Sequence, residues 1–225
     1  MMKQVSMNIR RDTSRFAIVT FVMVIVAAQG FVPYAKAQVQ SVTNYGASYG
    51  EWSARWWEWA LSIPAVKNPV LDPTGNNCSV GQVGNVWFLA GTFGGSVNRT
   101  CTIPAAKAIF FPLVNSVGLF PLGNETSLDL RVNYAAPIIE GVTSLKCTLD
   151  GRPCAQNLFD FRVQSPIFEA LVRSQSLLPP HFYDPAVADG YWLLLAPLKP
   201  GPHTLNFGGT SGTFSVDVTY NLTVQ

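Results

Sequence analysis

The chain has 225 residues, of which 48% are hydrophobic and 12% charged, and its formal net charge is +2. Five of its 15 Lys and Arg residues lie in the first 37 positions, and the other ten are scattered singly. This distribution excludes nucleic acid as a partner, because binding to phosphates requires a basic face. It also excludes a polybasic segment that would bind an anionic membrane surface.

The first 37 residues have the order of a secretory signal peptide. Four basic residues precede the apolar run 16–28, and Ala35-Lys36-Ala37 supplies the small-residue pattern of a cleavage site. The apolar run is shorter than the roughly 20 residues that a membrane-spanning helix needs. We therefore expect cleavage before Gln38, a secreted or periplasmic location, and no transmembrane anchor after cleavage.

A helix is predicted over residues 49–62. Ser48 and Glu51 form a capping-box pattern before it, and Pro64 ends it. The helix is amphipathic: Glu51, Arg55 and Glu58 share its polar side, whereas four tryptophans, Trp52, Trp56, Trp57 and Trp59, lie on the apolar side. We expect these indoles to pack across a β-sheet, with their N–H groups hydrogen-bonded.

Two other interpretations of the tryptophans are an aromatic platform for sugar rings and an interfacial membrane helix. The scarcity of Lys and Arg on the polar side disfavours the membrane interpretation. Exposed rings would favour the sugar platform, and buried rings would direct attention to the loops.

The four cysteines allow three pairings. Asp150-Gly151 lies midway between Cys147 and Cys154 and is a strong signal for a two-residue hairpin, which places these two cysteines opposite each other. Cys78 and Cys101 then pair with each other. Neither pair has the spacing of a metal site, and an oxidising compartment favours disulfides.

The rest of the chain indicates strands bounded by Gly, Pro or Asn. They are expected near residues 86–90, 101–103, 108–114, 145–149, 191–196, 203–207 and 213–224. Residues 38–225 therefore predict a single mainly β domain, an antiparallel β-sandwich of immunoglobulin-like or jelly-roll type with helix 49–62 packed on it. The last three strands are expected to form an antiparallel meander.

Two segments between the strands are less regular. Thr126 to Ala136 predicts a short helix that is ended by Pro137. Residues 174–190 are Pro-rich and predict the longest loop, which carries His181, Phe182, Tyr183 and Asp184. Because binding residues are often on loops, these four are the candidate binding residues.

Catalytic and cofactor motifs do not stand out in the sequence. Gly46-Ala47-Ser48-Tyr49-Gly50 matches the Gly-x-Ser-x-Gly pattern, but its Ser48 belongs to the capping-box pattern of the predicted helix. No histidine pair has zinc spacing, and we expect neither a metal nor a cofactor. Glu51 and Glu58 are the alternative site, with Arg55 between them. Seven helical residues separate the two backbones by about 10.5 Å, which suits an ion-pair ladder better than a glycosidase pair.

Two resemblances extend this interpretation. The segment YWLLLAPLKPGPHTLNFGG with GTFSVDVTYNLTV resembles the closing hairpin of immunoglobulin-like secreted β-sandwiches. The combination of GEWSARWWEWALSIP, VWFLAGTFGG and KAIFFPLVN resembles a group of exported bacterial proteins of unassigned function. The second resemblance implies export but supplies no activity and no catalytic residue.

Two functions follow as hypotheses. The first is a non-catalytic binding or structural protein that contacts a glycan or another cell-envelope component. The second is a polysaccharide-active hydrolase or lyase. The first is favoured because each candidate catalytic group lacks a visible partner; no oligomeric state follows from the sequence.

Overall fold

The computed structural model describes residues 39, 45–119, 125–172 and 176–225. The predicted signal peptide lies outside these residues, and the described residues belong to one compact unit within Ala35–Gln225. In the described part of the chain, no helix is long and apolar enough to cross a membrane.

The protein is mainly β. Its helices are α1 (Tyr49–Ser62), α2 (Ser127–Leu130) and α3 (Ala136–Glu140). Its strands are β1 (Val86–Phe88), β2 (Gly95–Ile103), β3 (Ala108–Leu119), β4 (Val142–Leu149), β5 (Arg152–Pro153), β6 (Arg162–Gln164), β7 (Phe168–Val172), β8 (His181–Leu195), β9 (Gly201–Ser211) and β10 (Phe214–Val224).

The strands form two five-stranded sheets. The first has the order β1-β3-β8-β6, and β7 also pairs with β8. The second has the order β2-β10-β9-β4-β5. Both sheets are mixed, because β1 pairs with β3 and β2 pairs with β10 in parallel. The prediction of purely antiparallel pairing was therefore wrong.

The predicted C-terminal meander is only partly correct. β9 and β10 form the expected antiparallel pair, but β8 lies in the other sheet. The Pro200-Gly201 corner thus connects two sheets. Gly208 and Gly209 lie inside β9, where an added Cβ would meet backbone atoms of the neighbouring strands at 1.8 and 2.5 Å. These glycines allow the close approach of the strands.

The first sheet is buried on both faces. Phe110 on β3 contacts Trp52 of α1, and the next residue, Phe111, contacts Phe207 of the second sheet, with ring centroids 6.4 and 4.6 Å apart. Successive side chains of a strand point to opposite faces, so a strand covered on both sides needs an uninterrupted apolar sequence. This explains the runs around Phe110 in β3 and Trp192 in β8.

Helix α1 has the predicted bounds. Ser48 caps it, and the Ser48 N–H in turn donates to Glu51 Oε2 at 2.6 Å. The four tryptophans are each at most 7% exposed. Trp56 stacks edge-on against Trp192 of β8 at 5.5 Å, so the apolar side of α1 contacts the first sheet.

The second predicted helix is longer and less regular than expected. Thr126 is its N-cap, as the sequence indicates. A π-helical turn over Arg131–Ala135 then leads into α3, and Pro137 lies within the first turn of α3. Arg131, Ala135 and Ala136 at the junctions all have right-handed helical dihedrals, so the helical segment runs without a break from Ser127 to Glu140. It continues past Pro137, where we predicted an end.

Both predicted disulfides are confirmed. Cys78 is bonded to Cys101 and Cys147 to Cys154, with Cα atoms 5.9 and 5.4 Å apart. The turn between the latter pair has positive φ at Asp150 and Gly151, as a two-residue hairpin requires. The Asp150 carboxylate accepts a hydrogen bond from the Thr204 N–H at 2.8 Å, which ties this turn to β9.

Candidate functional site

A well-defined cleft with a volume of about 560 Å³ lies beside α1. One wall is the face of α1 that carries Arg55 and Glu58, and the other is the segment 81–85 before β1. The full lining is Tyr45, Trp52, Arg55, Glu58, Trp59, Ser62, Gly81, Val83, Gly84, Asn85 and Phe88. We call this the helix cleft.

Arg55 and Glu58 give the helix cleft its charges. The Arg55 guanidinium lies over the Trp52 ring, 4.7 Å from its centroid. Partial burial raises the pKa of Glu58; Arg55 opposes this rise, and the negative charge of Glu169 on β7 adds to it. Glu58 is therefore protonated more readily than an ordinary glutamate, and the helix cleft carries a fixed cation beside a carboxyl group.

Glu51 does not take part in this site. Its carboxylate accepts the Ser48 N–H, and this hydrogen bond lowers the pKa of Glu51. It is also absent from the lining of the helix cleft. Of the three alternative residues, the structure thus brings together Arg55 and Glu58 but uses Glu51 as a helix cap.

The indoles contribute edges rather than open faces. Trp52 and Trp59, which line the helix cleft, are only 7% and 6% exposed. Trp59 Nε1–H donates to the Val80 carbonyl at 2.9 Å, whereas Trp52 Nε1–H has no acceptor among the described residues. The rings therefore offer no flat platform on which a sugar could stack fully. The expectation that every indole N–H is bonded also fails for Trp52 and Trp57.

A glycine sets the width of the helix cleft. Gly81 has φ +70°, and a Cβ at this position would lie 3.1 Å from the Trp59 ring. A residue with a side chain would be strained in this conformation and would press on the indole. Gly81 thus allows segment 81–85 to pass directly over Trp59.

The four predicted loop residues lie in a strand. His181, Phe182, Tyr183 and Asp184 form the start of β8, where His181, Phe182 and Tyr183 pair with β7. Tyr183 is buried, and its hydroxyl donates to the Pro179 carbonyl at 3.1 Å, while Phe182 is half exposed. The loop prediction was wrong because the backbone pairing of β8 with β3 and β7 outweighs the turn signal of the prolines. None of the four lines the helix cleft.

Arg99 is a buried cation that was not predicted from the sequence. Arg99 is 2% exposed, and its guanidinium donates to the carbonyl oxygens of Val70, Asp72, Ala90 and Gly91 and to the Tyr220 hydroxyl. Arg99 thereby links the connecting segments 70–72 and 90–91 to the second sheet by hydrogen bonds. The sequence signal for this buried role is the position of Arg99, which faces inward in the alternating pattern that ends at Ile103.

No metal centre is formed by the described side chains, since no group of three or more His, Cys, Asp or Glu residues could hold an ion. Comparisons with family models, curated proteins and solved structures found no significant match to this chain. The geometry of the helix cleft is therefore the basis for any functional assignment.

Proposed function

We propose that this protein is an exported, non-catalytic binding protein whose helix cleft holds a glycan or another polyhydroxylated component of the cell envelope. The observation that carries the proposal is the convergence of Arg55, Glu58 and the edges of Trp52 and Trp59 on one cleft of about 560 Å³. Small-molecule sites typically measure about 300–1,000 Å³ and combine an apolar lining with a few polar groups.

The polar groups of the helix cleft suit hydroxyl groups. Arg55 offers several N–H donors, and Glu58 offers acceptor oxygens. The buried rings favour edge contacts with a sugar over face-on stacking.

Binding is favoured over catalysis because Glu58 is the one carboxylate in the lining of the helix cleft, within the described part of the chain. Glycoside hydrolysis uses two carboxyl groups that flank the scissile bond. Glu51, the partner that the sequence suggested, serves the helix cap.

The proposal also includes compartment and fold type. The signal-peptide pattern and the resemblance to exported bacterial proteins support export, and two disulfides suit an oxidising compartment. The contact between Phe111 and Phe207 supports a β-sandwich formed by the two sheets. Its two parallel strand pairs distinguish it from a purely antiparallel immunoglobulin-like or jelly-roll fold.

A second candidate function is a polysaccharide-active enzyme, and one observation favours it. The raised pKa of Glu58 is what a general acid requires. Glu169 is near enough to contribute to that rise and would be the second carboxyl group. Glu58→Gln separates the two functions, because it would abolish hydrolysis of a polysaccharide but leave most of the affinity in a binding protein.

The proposal is tested by titrating the chain that begins at Gln38 with soluble peptidoglycan fragments and neutral oligosaccharides in a calorimeter. Arg55→Ala should weaken binding about tenfold or more, because hydrogen bonds to a charged group contribute about 1.5–3 kcal/mol. Lys199→Ala removes a charge outside the helix cleft and serves as the control. Equal affinity of the wild type and Arg55→Ala would contradict the assignment of the ligand to this cleft.

A further inference from the structure

A groove of about 380 Å³ lies on one edge of the second sheet. One wall consists of residues 145–148 of β4, and the other consists of Pro153 and segment 155–159, which connects β5 to β6. None of these residues lines the helix cleft. We call this second site the edge groove.

The edge groove follows the edge of β4 and not one of its faces. Successive side chains of a strand point to opposite faces of a sheet. Leu145 and Cys147 pack on the core side of β4, and Lys146 and Thr148 alternate with them, yet all four residues line the edge groove. Four consecutive residues share this groove because the backbone of β4 itself forms the wall.

The backbone groups of Leu145 point into the edge groove. The Cys147 carbonyl accepts a hydrogen bond from the Cys154 N–H at 3.0 Å, so it points away from β9. Because this direction alternates along a strand, the N–H and carbonyl of Leu145, two residues earlier, point to the same side. The Ser144 carbonyl points to β9 instead, where a Cβ added at Gly209 would meet it at 2.5 Å.

Strand β5 ends before it reaches Leu145. It has two residues and pairs with Thr148 and Leu149. The disulfide between Cys147 and Cys154 fixes the end of β5, after which segment 155–159 leaves for β6 of the first sheet. Within the described residues, neither backbone group of Leu145 has a hydrogen-bond partner on this side. An unpaired strand edge of this kind is a template for another strand.

The lining of the edge groove is electrically neutral. Lys146 is its one charged side chain in the described part of the chain, and it forms an ion pair with Asp217 at 2.6 Å. On the opposite wall, the exposed Gln156 offers amide donors and an acceptor, and Phe159 offers an apolar surface that is 44% exposed. Asn157 uses its own amide in the adjoining turn, where its carbonyl accepts the Phe159 N–H.

We propose that the edge groove binds an extended, uncharged peptide segment of a partner protein, which adds a strand beside Leu145 in line with β5. A peptide backbone carries both a donor and an acceptor at each residue, so it pairs with the N–H and the carbonyl of Leu145 together. Gln156 bonds the other side of the added strand. The main chain supplies most of the affinity, so the site accepts many uncharged sequences. This assignment is independent of the ligand of the helix cleft.

The test is amide hydrogen exchange, measured by NMR on the ¹⁵N-labelled protein with the capped peptide acetyl-Thr-Val-Thr-Val-Thr-amide. Val and Thr favour an extended backbone and carry no charge. Exchange of the Leu145 N–H should slow about tenfold at a peptide concentration ten times the Kd. The Lys146 N–H is the internal control, because it points to β9 by the same alternation and should exchange at an unchanged rate.

Two changes test the chemistry of the site. The same peptide with methylated amide nitrogens cannot donate to the Leu145 carbonyl and should not bind. Gln156→Ala should weaken the unmodified peptide about three- to tenfold, because it removes a neutral hydrogen bond. Asn76→Ala removes an exposed side-chain amide outside the edge groove and should leave the affinity unchanged.

Four results would overturn the proposal. The first is unchanged exchange of the Leu145 N–H at millimolar peptide, and the second is equal binding of the methylated peptide or equal affinity of Gln156→Ala. The third is protection of the Leu145 N–H that rises with protein concentration in the absence of peptide, which would assign the edge to a second copy of this chain. The fourth is equal protection by a neutral oligosaccharide, which would assign the edge groove to a glycan.

Discussion

Replacing Trp56 should strongly destabilise the fold. It is 2% exposed, its ring contacts Trp57, Trp59 and Trp192 at 5.2–5.7 Å, and its N–H donates to the Leu89 carbonyl. Truncation of a buried Trp to Ala costs about 3–5 kcal/mol through lost transfer energy and the cavity left behind. The stranded carbonyl of Leu89 adds about 1 kcal/mol.

Trp56→Ala should thus lower the free energy of unfolding by about 4–6 kcal/mol, a large share of the roughly 5–15 kcal/mol that stabilises a domain. For a chain of this size the melting temperature should fall by roughly 10–20 °C. Calorimetry or circular dichroism during heating measures this change. Glu58→Gln, on the exposed face of the same helix, should stay within about 0.5 kcal/mol of the wild type.

A Trp56→Ala protein that melts within about 3 °C of the wild type would refute this reasoning, since it would mean a loss near 1 kcal/mol. If that variant also lost affinity for a glycan, α1 would be a binding platform and not the cover of the first sheet. Trp56→Phe separates the two contributions, because it retains a ring but removes the hydrogen bond to Leu89.

Two further predictions concern pH and the disulfides. Burial lowers the pKa of His203, but hydrogen bonds to a carboxylate and a carbonyl outweigh burial and raise it. The protonated His203 side chain therefore stabilises the fold fully below about pH 6.5, and this stabilisation is lost as the pH rises through the higher pKa of the folded state. Chemical denaturation measured across this pH range should show that decline for the wild type and not for His203→Gln. Replacing Cys78 and Cys101 by serine should cost about 3 kcal/mol, and replacing Cys147 and Cys154 about 2, because the loops span 23 and 7 residues.

The features that local chemistry dictates were predictable. The capping box at Ser48, the Asp150-Gly151 turn and the alternation of β10 each depend on neighbouring residues, and the structure reproduces all three. The two disulfides followed from the position of that turn.

The features that depend on distant contacts were not predictable. Tyr183 lies in a segment with the composition of a loop, yet pairing with β7 makes it part of a strand. The parallel pairing of β2 with β10 has no local signal, because both strands alternate as antiparallel strands would. In the helix cleft, Arg55 was a candidate from the sequence, whereas Glu169 was missed because it reaches Glu58 only through the contact of α1 with β7.

The pairing of β2 with β10 has a consequence for the order of folding. β10 is the one hydrogen-bonded strand neighbour of β2 in the described structure, and Arg99 and Tyr220, which lie on these two strands, are 121 residues apart in sequence. Contacts of such separation form late and slowly. A nascent chain that has not yet reached residue 214 must therefore leave β2 unpaired and Arg99 without its hydroxyl partner. The second sheet can therefore be completed only after β10 has been translated.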